Sequence, residues 1–247
     1  MIFKVHLGSM EKCMDIDRKE IYKLERWLSK KEKIIASIAP SYKAEFKDND
    51  LKAVGALKSL GFYGAEETIS VLPEIAEKRL KAIESGRKPL VFNSCPIIWD
   101  LIETHYNGVK DYLLVIPSPM ILHGRRLKHR YPDAKIVFIG PCMAKKWEQE
   151  HFHKEKSVDM VLTFKEIRYV FKEFELDIEI QEEGEFLSHP PSWCMLGLLV
   201  YYKSGFSEVV NFLDNFDNQK KINGMELLAC KGGCINGPGM TNGKTCA

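Results

Sequence analysis

Four of the seven cysteines in this 247-residue chain stand where metal or redox chemistry would need them. Cys230-Lys231-Gly232-Gly233-Cys234 is the sharpest local feature. A three-residue spacer lets both sulfurs face one metal centre, and the paired glycines remove side chains that would keep backbone N–H groups away from sulfur. Gly237-Pro238-Gly239 follows at once and again suggests backbone pressed against something. Cys95 and Cys142 are isolated from this pair and from each other. Four thiolates suit either zinc or a 4Fe–4S cubane. Zinc ligands usually arrive as two tight pairs, so one pair plus two isolated cysteines favours a cluster held between lobes. Taken singly, each cysteine reads most simply as a small buried hydrophobe, and the paired element alone as a redox dithiol or a zinc hook. Cys13, Cys194 and Cys246 have no suitable partners.

The elements that must carry these thiols alternate between short apolar runs and amphipathic stretches. Asp17 with Glu20 three residues on reads as a capping box, and Ile21, Leu24 and Leu28 recur at helical spacing. Strands are expected at 34–38, 90–92, 113–116, 135–139, 158–162 and 225–228. Helices are expected near 51–60, 72–86, 97–106, 119–131, 163–174 and 206–216, with a loop over 184–192. Strand–helix alternation implies parallel pairing and an α/β fold of two lobes, mostly parallel sheets flanked by helices, with a metal cluster in the crevice between them. Cys95, Cys142 and Cys230 each follow an expected strand, and functional loops of such sheets lie at the carboxyl ends of strands. Residues 1–32 read as an N-terminal helical extension and 33–247 as the cluster-binding domain, with a soft boundary near 87–89.

Composition narrows the class. Hydrophobic residues make up 45% and charged residues 28%, ordinary for a globule, and 36 basic against 34 acidic residues leave a formal charge of +2. That balance gives no support for nucleic acid or a membrane as partner. No apolar run approaches the roughly 20 residues of a spanning helix, and Met1–Lys12 is too polar for a secretory signal. A cytoplasmic location is expected, where cysteines serve as core residues, redox thiols or metal ligands rather than disulfides.

Three ordered segments resemble the iron-only (FeFe) hydrogenase catalytic domain. Ser94-Cys95-Pro96-Ile97-Ile98-Trp99 resembles the family's TSCCPxW. Pro141-Cys142-Met143-Ala144-Lys145-Lys146-Trp147-Glu148 resembles PCxxKxxE. Leu228-Ala229-Cys230-Lys231-Gly232-Gly233-Cys234-Ile235-Asn236-Gly237 resembles MACxxGCxxG. Weaker agreement falls at Ile38-Ala39-Pro40-Ser41, Pro117-Ser118-Pro119 and 158–163, so the resemblance spans roughly 33–240. It implies an H-cluster: a cubane held by Cys95, Cys142, Cys230 and Cys234, with Cys234 also bridging to a two-iron unit that carries CO, cyanide and a bridging dithiolate. It further implies that Lys145 compensates negative charge beside a cyanide. Pro40 and Ser41 would contact the other cyanide, while Pro119, Gly140, Leu228 and Glu148 belong to the surrounding site. The implied activity is reversible H2 oxidation and proton reduction, with an external electron carrier such as ferredoxin and maturation proteins as partners.

The chain departs from that family where protons move. Ser94 stands in place of the usual relay cysteine, and a hydroxyl is far less acidic than a thiol of pKa about 8.5, so slow turnover is expected. Ser94 is equally readable as a cap of the following helix. Gly140 and Leu228 replace two methionines, and Met120 a glutamine. Gly140 is expected to open space for water. These changes resemble the branch of the family thought to sense hydrogen, in a minimal form without ferredoxin-like cysteine runs. Rival readings are a hydrogen-sensing module, a non-catalytic iron–sulfur carrier and a structural zinc protein. Secondary candidates are His151 and His153, the basic stretch from His123 to Arg130 as a docking face for an acidic carrier, and Glu74 and Glu77 as proton-path carboxylates. Each of these reads more simply as solvated surface. Trp27, Trp99, Trp147 and Trp193 read as core or cluster-shielding residues.

Overall fold

The structure, a computed structural model, describes residues 16–86, 89–92, 94–151, 156–188, 200–219 and 222–243. The chain opens with α1 (Arg18–Ser29), β1 (Ile34–Ile38), α2 (Tyr42–Phe46) and α3 (Asp50–Leu60). It continues with β2 (Gly64–Glu67), α4 (Leu72–Glu84), β3 (Leu90–Phe92) and α5 (Pro96–His105). Next come α6 (Asn107–Lys110), β4 (Leu113–Leu114), α7 (Pro119–Arg130), β5 (Lys135–Gly140) and α8 (Ala144–His151). The last elements are β6 (Met160–Thr163), α9 (Phe164–Glu173), β7 (Tyr201–Ser204), α10 (Phe206–Asp214) and β8 (Gly224–Leu228).

Two parallel four-stranded sheets result, in the orders β2-β1-β5-β6 and β4-β3-β8-β7. Every residue of β1 is buried, as a central parallel strand covered on both faces requires. Each sheet has its own core. The first gathers Ile34, Ile136, Leu162 and Phe164 with Met120 and Leu127 of α7. The second gathers Val91, Ile102, Val209, Met225 and Leu227. The lobes are interleaved in sequence: the chain leaves the first sheet after β2, supplies β3 and β4 to the second, and returns through α7.

Asp17 caps α1 by accepting from the amides of Lys19 and Glu20. Ile21, Leu24 and Trp27 of that helix are buried in the first core, so the segment expected as an extension contributes to the first lobe. At the soft boundary, residues 87 and 88 lie outside the described residues. The expected strand at 113–116 pairs only through Leu114: Val115 is exposed and Pro117 has no N–H to give a ladder. The expected strand at 158–162 begins at Met160, because the Asp159 carboxylate takes the Ile136 amide and Lys128. β2 and β7 escape hydrophobic patterning. β2 reads Gly-Ala-Glu-Glu and is placed by its pairing with β1, and β7 is an edge strand with two exposed tyrosines.

Candidate metal centre

The carboxyl ends of β3, β5 and β8 bring the cysteines to one face. Cys95 occupies the N-cap position of α5, ahead of Pro96, without a side-chain hydrogen bond that caps the helix. The backbone amides of Ala229, Ile98 and Ile97 favour its thiolate form electrostatically, as a cluster ligand needs. Cys142 follows β5, and Cys230 is buried just past β8. Cys234, the most exposed of the four, opens a short 3-10 turn through Asn236. Gly232 and Gly233 both adopt positive φ, 78° and 90°, and the Gly233 amide closes a turn on the Cys230 carbonyl at 2.9 Å. A Cβ at Gly233 would lie 2.7 Å from the Tyr202 hydroxyl.

The electrostatics tie the thiols together. Burial pushes the Cys142 thiol well up, and negative charge at Cys95 and Cys234 pushes it further, against the opposing ammonium of Lys145. Burial likewise raises Cys95, opposed by its three amides and Lys145. Burial alone would lower the Lys145 ammonium. Glu148, together with Cys142 and Cys95, outweighs it and holds the group above its usual range. Lys145 Nζ donates to Glu148 Oε2 and, at 3.3 Å, to the Ser94 carbonyl. One cation thus bridges the first and second motifs beside the thiols.

Above these groups lies a cavity of about 630 Å³ with predominantly apolar walls. Its wall includes Pro40, Ser41, Ser94, Pro119, Cys142, Lys145, Leu228 and Cys234, so these expected site residues come together. Ser41 Oγ is buried there without a hydrogen-bond partner. Met120, Phe138 and Tyr202 also line it.

Other expectations fare differently. Gly140 opens no space: a Cβ there would meet the Phe138 ring at 2.6 Å, so the aromatic side chain fills the volume expected for water. Ser94 does not cap α5. Cys95 holds that position, and the Ser94 Oγ accepts from Arg79 Nη2 at 2.7 Å. Glu148 pairs with Lys145 and is not among the residues that line the cavity. Glu74 pairs with Lys78 and Arg126, and Glu77 with Lys81 on the surface. Much of the basic stretch is satisfied internally: Arg126 by Glu74, Lys128 by Asp159, Arg130 by Glu66. His151 stacks on Trp147, and Trp27 is core. His153, Trp193, Cys13, Cys194 and Cys246 lie outside the described residues.

Arg79 and Glu226 are site residues that sequence reading missed. Arg79 Nη2 donates to Glu226 Oε2 at 2.6 Å as well as to Ser94, and the guanidinium lies 4.2 Å from the Phe92 ring centroid. The signal available was Glu226 itself, a carboxylate inside an apolar strand four residues before a ligand-type cysteine.

The residues fit an iron–sulfur group on their own chemistry: a thiol beside backbone amides, a buried ammonium, an orphaned hydroxyl and an apolar-walled cavity. Among the described residues no three cysteine, histidine or carboxylate groups stand at the spacing of ligands to one ion. A cubane does not ask for that, since each thiolate binds a different iron. Fold and site together define a two-lobed, parallel α/β protein with a thiol-walled crevice between its sheets. The family described as iron only hydrogenase large subunit, C-terminal domain, matches residues 32–192, and the chain belongs to it. Solved structures share the fold. One is an FeFe-hydrogenase characterised for oxygen inactivation through its H cluster 2Fe subcluster (TM-score 0.70, 13% identity, 85% of this chain and 80% of that one). Another is HydA(deltaEFG), from work on stepwise H-cluster assembly (TM-score 0.69, 16% identity, the same 85% and 80% coverage). A third is a variant of HydA1 from Chlamydomonas reinhardtii (TM-score 0.70, 15% identity, again 85% and 80%). Among the described residues no helix is long and apolar enough to cross a membrane.

Proposed function

We propose that the chain is a hydrogenase domain that interconverts H2 with protons and electrons at an H-cluster. Its electrons would come from an external carrier such as ferredoxin, and its cofactor from maturation proteins. The observation that carries this reading is the convergence of Cys95, Cys142, Cys234 and Lys145 beneath one apolar cavity, in a chain of this family. Cys95, Cys142, Cys230 and Cys234 would hold the cubane, and Cys234 its junction with the two-iron unit. When bound, that cofactor would supply the iron sites at which H2 is made or split and would store the electrons.

The chain's own residues do the rest. Lys145 offers an ammonium to the anionic cofactor, which is stronger in a dry site than in water. The buried Ser41 hydroxyl supplies a further donor on the cavity wall. Met120, Phe138 and Leu228 help to make the wall apolar. Ser94 holds an exchangeable proton at Oγ on the cavity wall, and its weak acidity favours slow turnover. That same feature favours hydrogen sensing as a second role, since a sensor needs a responsive site more than a fast one.

Infrared spectra of the matured protein test the reading. CO and cyanide bands are expected, and their absence after maturation would favour an iron–sulfur carrier. With the bands present, Ser94→Cys is expected to raise H2 evolution roughly ten- to a hundredfold. An unchanged rate removes position 94 from proton delivery.

A further inference from the structure

Ser94, Arg79 and Glu226 come from three separate elements: the turn after β3, helix α4 and strand β8. Ser94 lines the cavity, and Arg79 and Glu226 do not. A guanidinium can only donate, so Ser94 Oγ must accept where Arg79 Nη2 approaches at 2.7 Å. The same nitrogen donates to Glu226 Oε2 at 2.6 Å. Glu226 Oε1 is buried without a hydrogen-bond partner of its own, and the Ser94 hydroxyl lies within reach of that carboxylate. Both charged side chains are largely buried, at 16% and 15% exposure, so their pairing is not a screened surface contact. Stacking on Phe92 holds the guanidinium in plane.

A hydroxyl has one hydrogen and two lone pairs. Here Arg79 occupies one lone pair and Glu226 attracts the hydrogen, which leaves the second lone pair of this cavity-lining residue to accept from another donor. We propose that Arg79 and Glu226 are positioning residues for Ser94, wiring its hydroxyl so that a proton accepted from the cavity is matched by release of the Ser94 proton to Glu226. In that step one O–H bond forms on Ser94 from the cavity side. The original O–H breaks, its hydrogen bonds to a Glu226 carboxylate oxygen, and no electrons change hands. The reverse sequence delivers a proton inward. Besides Arg79, the charge facing Glu226 is Lys145 from α8. Burial raises the Glu226 carboxyl above its usual range, which suits a group that must take and return a proton.

The inference rests on the hydrogenase reading, so its test has one arm that does not need the cofactor. In cofactor-free Ser94→Cys protein, the pH profile of alkylation of the position-94 thiol is followed by peptide mass spectrometry. Adding Glu226→Gln leaves Arg79 uncompensated and is expected to shift the profile down by about one pH unit, about tenfold in rate at neutral pH. Adding Arg79→Gln is expected to shift it up by a similar amount. A merely structural role gives no such opposite pair, and far-ultraviolet circular dichroism establishes that each variant folds. Profiles that coincide, or that shift the same way, overturn the wiring. In the matured protein with Ser94 intact, Glu226→Gln is expected to slow exchange between H2 and D2O about tenfold, with Glu226→Asp largely restoring it. Unchanged exchange in Glu226→Gln overturns the relay. Loss of exchange in every protein, wild type included, instead overturns the hydrogenase reading beneath it.

Discussion

Lys145 and Glu148 are one helical turn apart on α8 and 13% and 8% exposed, so each charge depends on the other. Removing one partner of a buried pair strands the other, at a cost of about 3–5 kcal/mol, whereas replacing both by apolar groups is often neutral. Lys145→Met is therefore expected to lower urea stability by that amount, and Lys145→Met with Glu148→Leu to recover most of it. Iron content and absorption near 400 nm after reconstitution should stay low in both, because neither supplies the ammonium beside Cys142. A double variant that binds iron like wild type would sink the charge-compensation role. A second residue-scale effect sits in the first lobe. His123 is wholly buried, with Nδ1 2.7 Å from the Ser37 hydroxyl and Nε2 3.5 Å from Glu66. Burial holds its pKa below the ordinary value, with Glu66 opposing and Arg126 and Arg130 assisting. The unfolded chain then binds more protons than the native one below an unfolded pKa near 6.5. Stability is full above that pH and declines below it, by up to about 1.4 kcal/mol per pH unit, until the folded pKa is reached. Glu66 is pushed up by burial, but His123, Ser188 and Arg130 hold it below the usual carboxylate range, so its own loss comes at lower pH. Urea midpoints between pH 7 and 5 should fall more steeply in wild type than in His123→Gln. At this scale the ligand cysteines and Lys145 were legible because motif spacing marks them. The partners of Ser94 were not, since Arg79 and Glu226 meet it only through tertiary packing.

Elements became legible wherever burial imposes a period. α1, α4, α7 and α9 were readable from apolar spacing, and Thr163 with Glu166 forms the capping box that starts α9. β2 was not, because Glu66 and Glu67 are buried through partners on other elements, and no pattern of apolar residues announces that. Propensity alone misleads at α3 as well. Gly55 sits inside that helix, where alanine would ordinarily stabilise by about 1 kcal/mol. Yet a Cβ at Gly55 would stand 1.9 Å from the Glu182 carbonyl oxygen, and one at Gly184 would stand 2.4 Å from the Gly55 amide. Backbone faces backbone, so neither side can yield by a rotamer change, and overpacking wins. Gly55→Ala and Gly184→Ala should each cost about 2 kcal/mol in urea unfolding. Gly108→Ala on α6, with open space around it, should cost nothing. Equal effects at all three positions would mean that α3 does not rest on the 182–184 segment.

For the molecule as a whole, the question is what holds thiols from two sheets in register. Cys142 belongs to the first sheet, while Cys95, Cys230 and Cys234 belong to the second. The segment after Cys234 crosses between them. Gly239 donates to the Pro141 carbonyl at 2.8 Å and accepts from Lys165 at 3.0 Å. Met240 is buried in the first core, and the Thr241 amide and hydroxyl both donate to Glu45, which Arg168 also holds. Gly237 and Gly239 are small because Cβ atoms there would strike the Pro141 backbone at 2.5 and 2.8 Å. This strap makes the two halves of the ligand set depend on Met240, a side chain buried in the first core. Met240→Ala should cost about 3 kcal/mol of stability from the cavity it leaves. Its more telling effect should be on the cluster: with the strap loosened, Cys234 and Cys142 separate more often, and iron is lost to a chelator at least fivefold faster. Leu24→Ala, which opens a cavity in the same core beneath α1, provides the comparison. If the two variants melt alike and lose iron alike, the cluster responds only to global stability and the strap has no special hold on it. Faster loss in Met240→Ala alone places the register of the two sheets in those few residues.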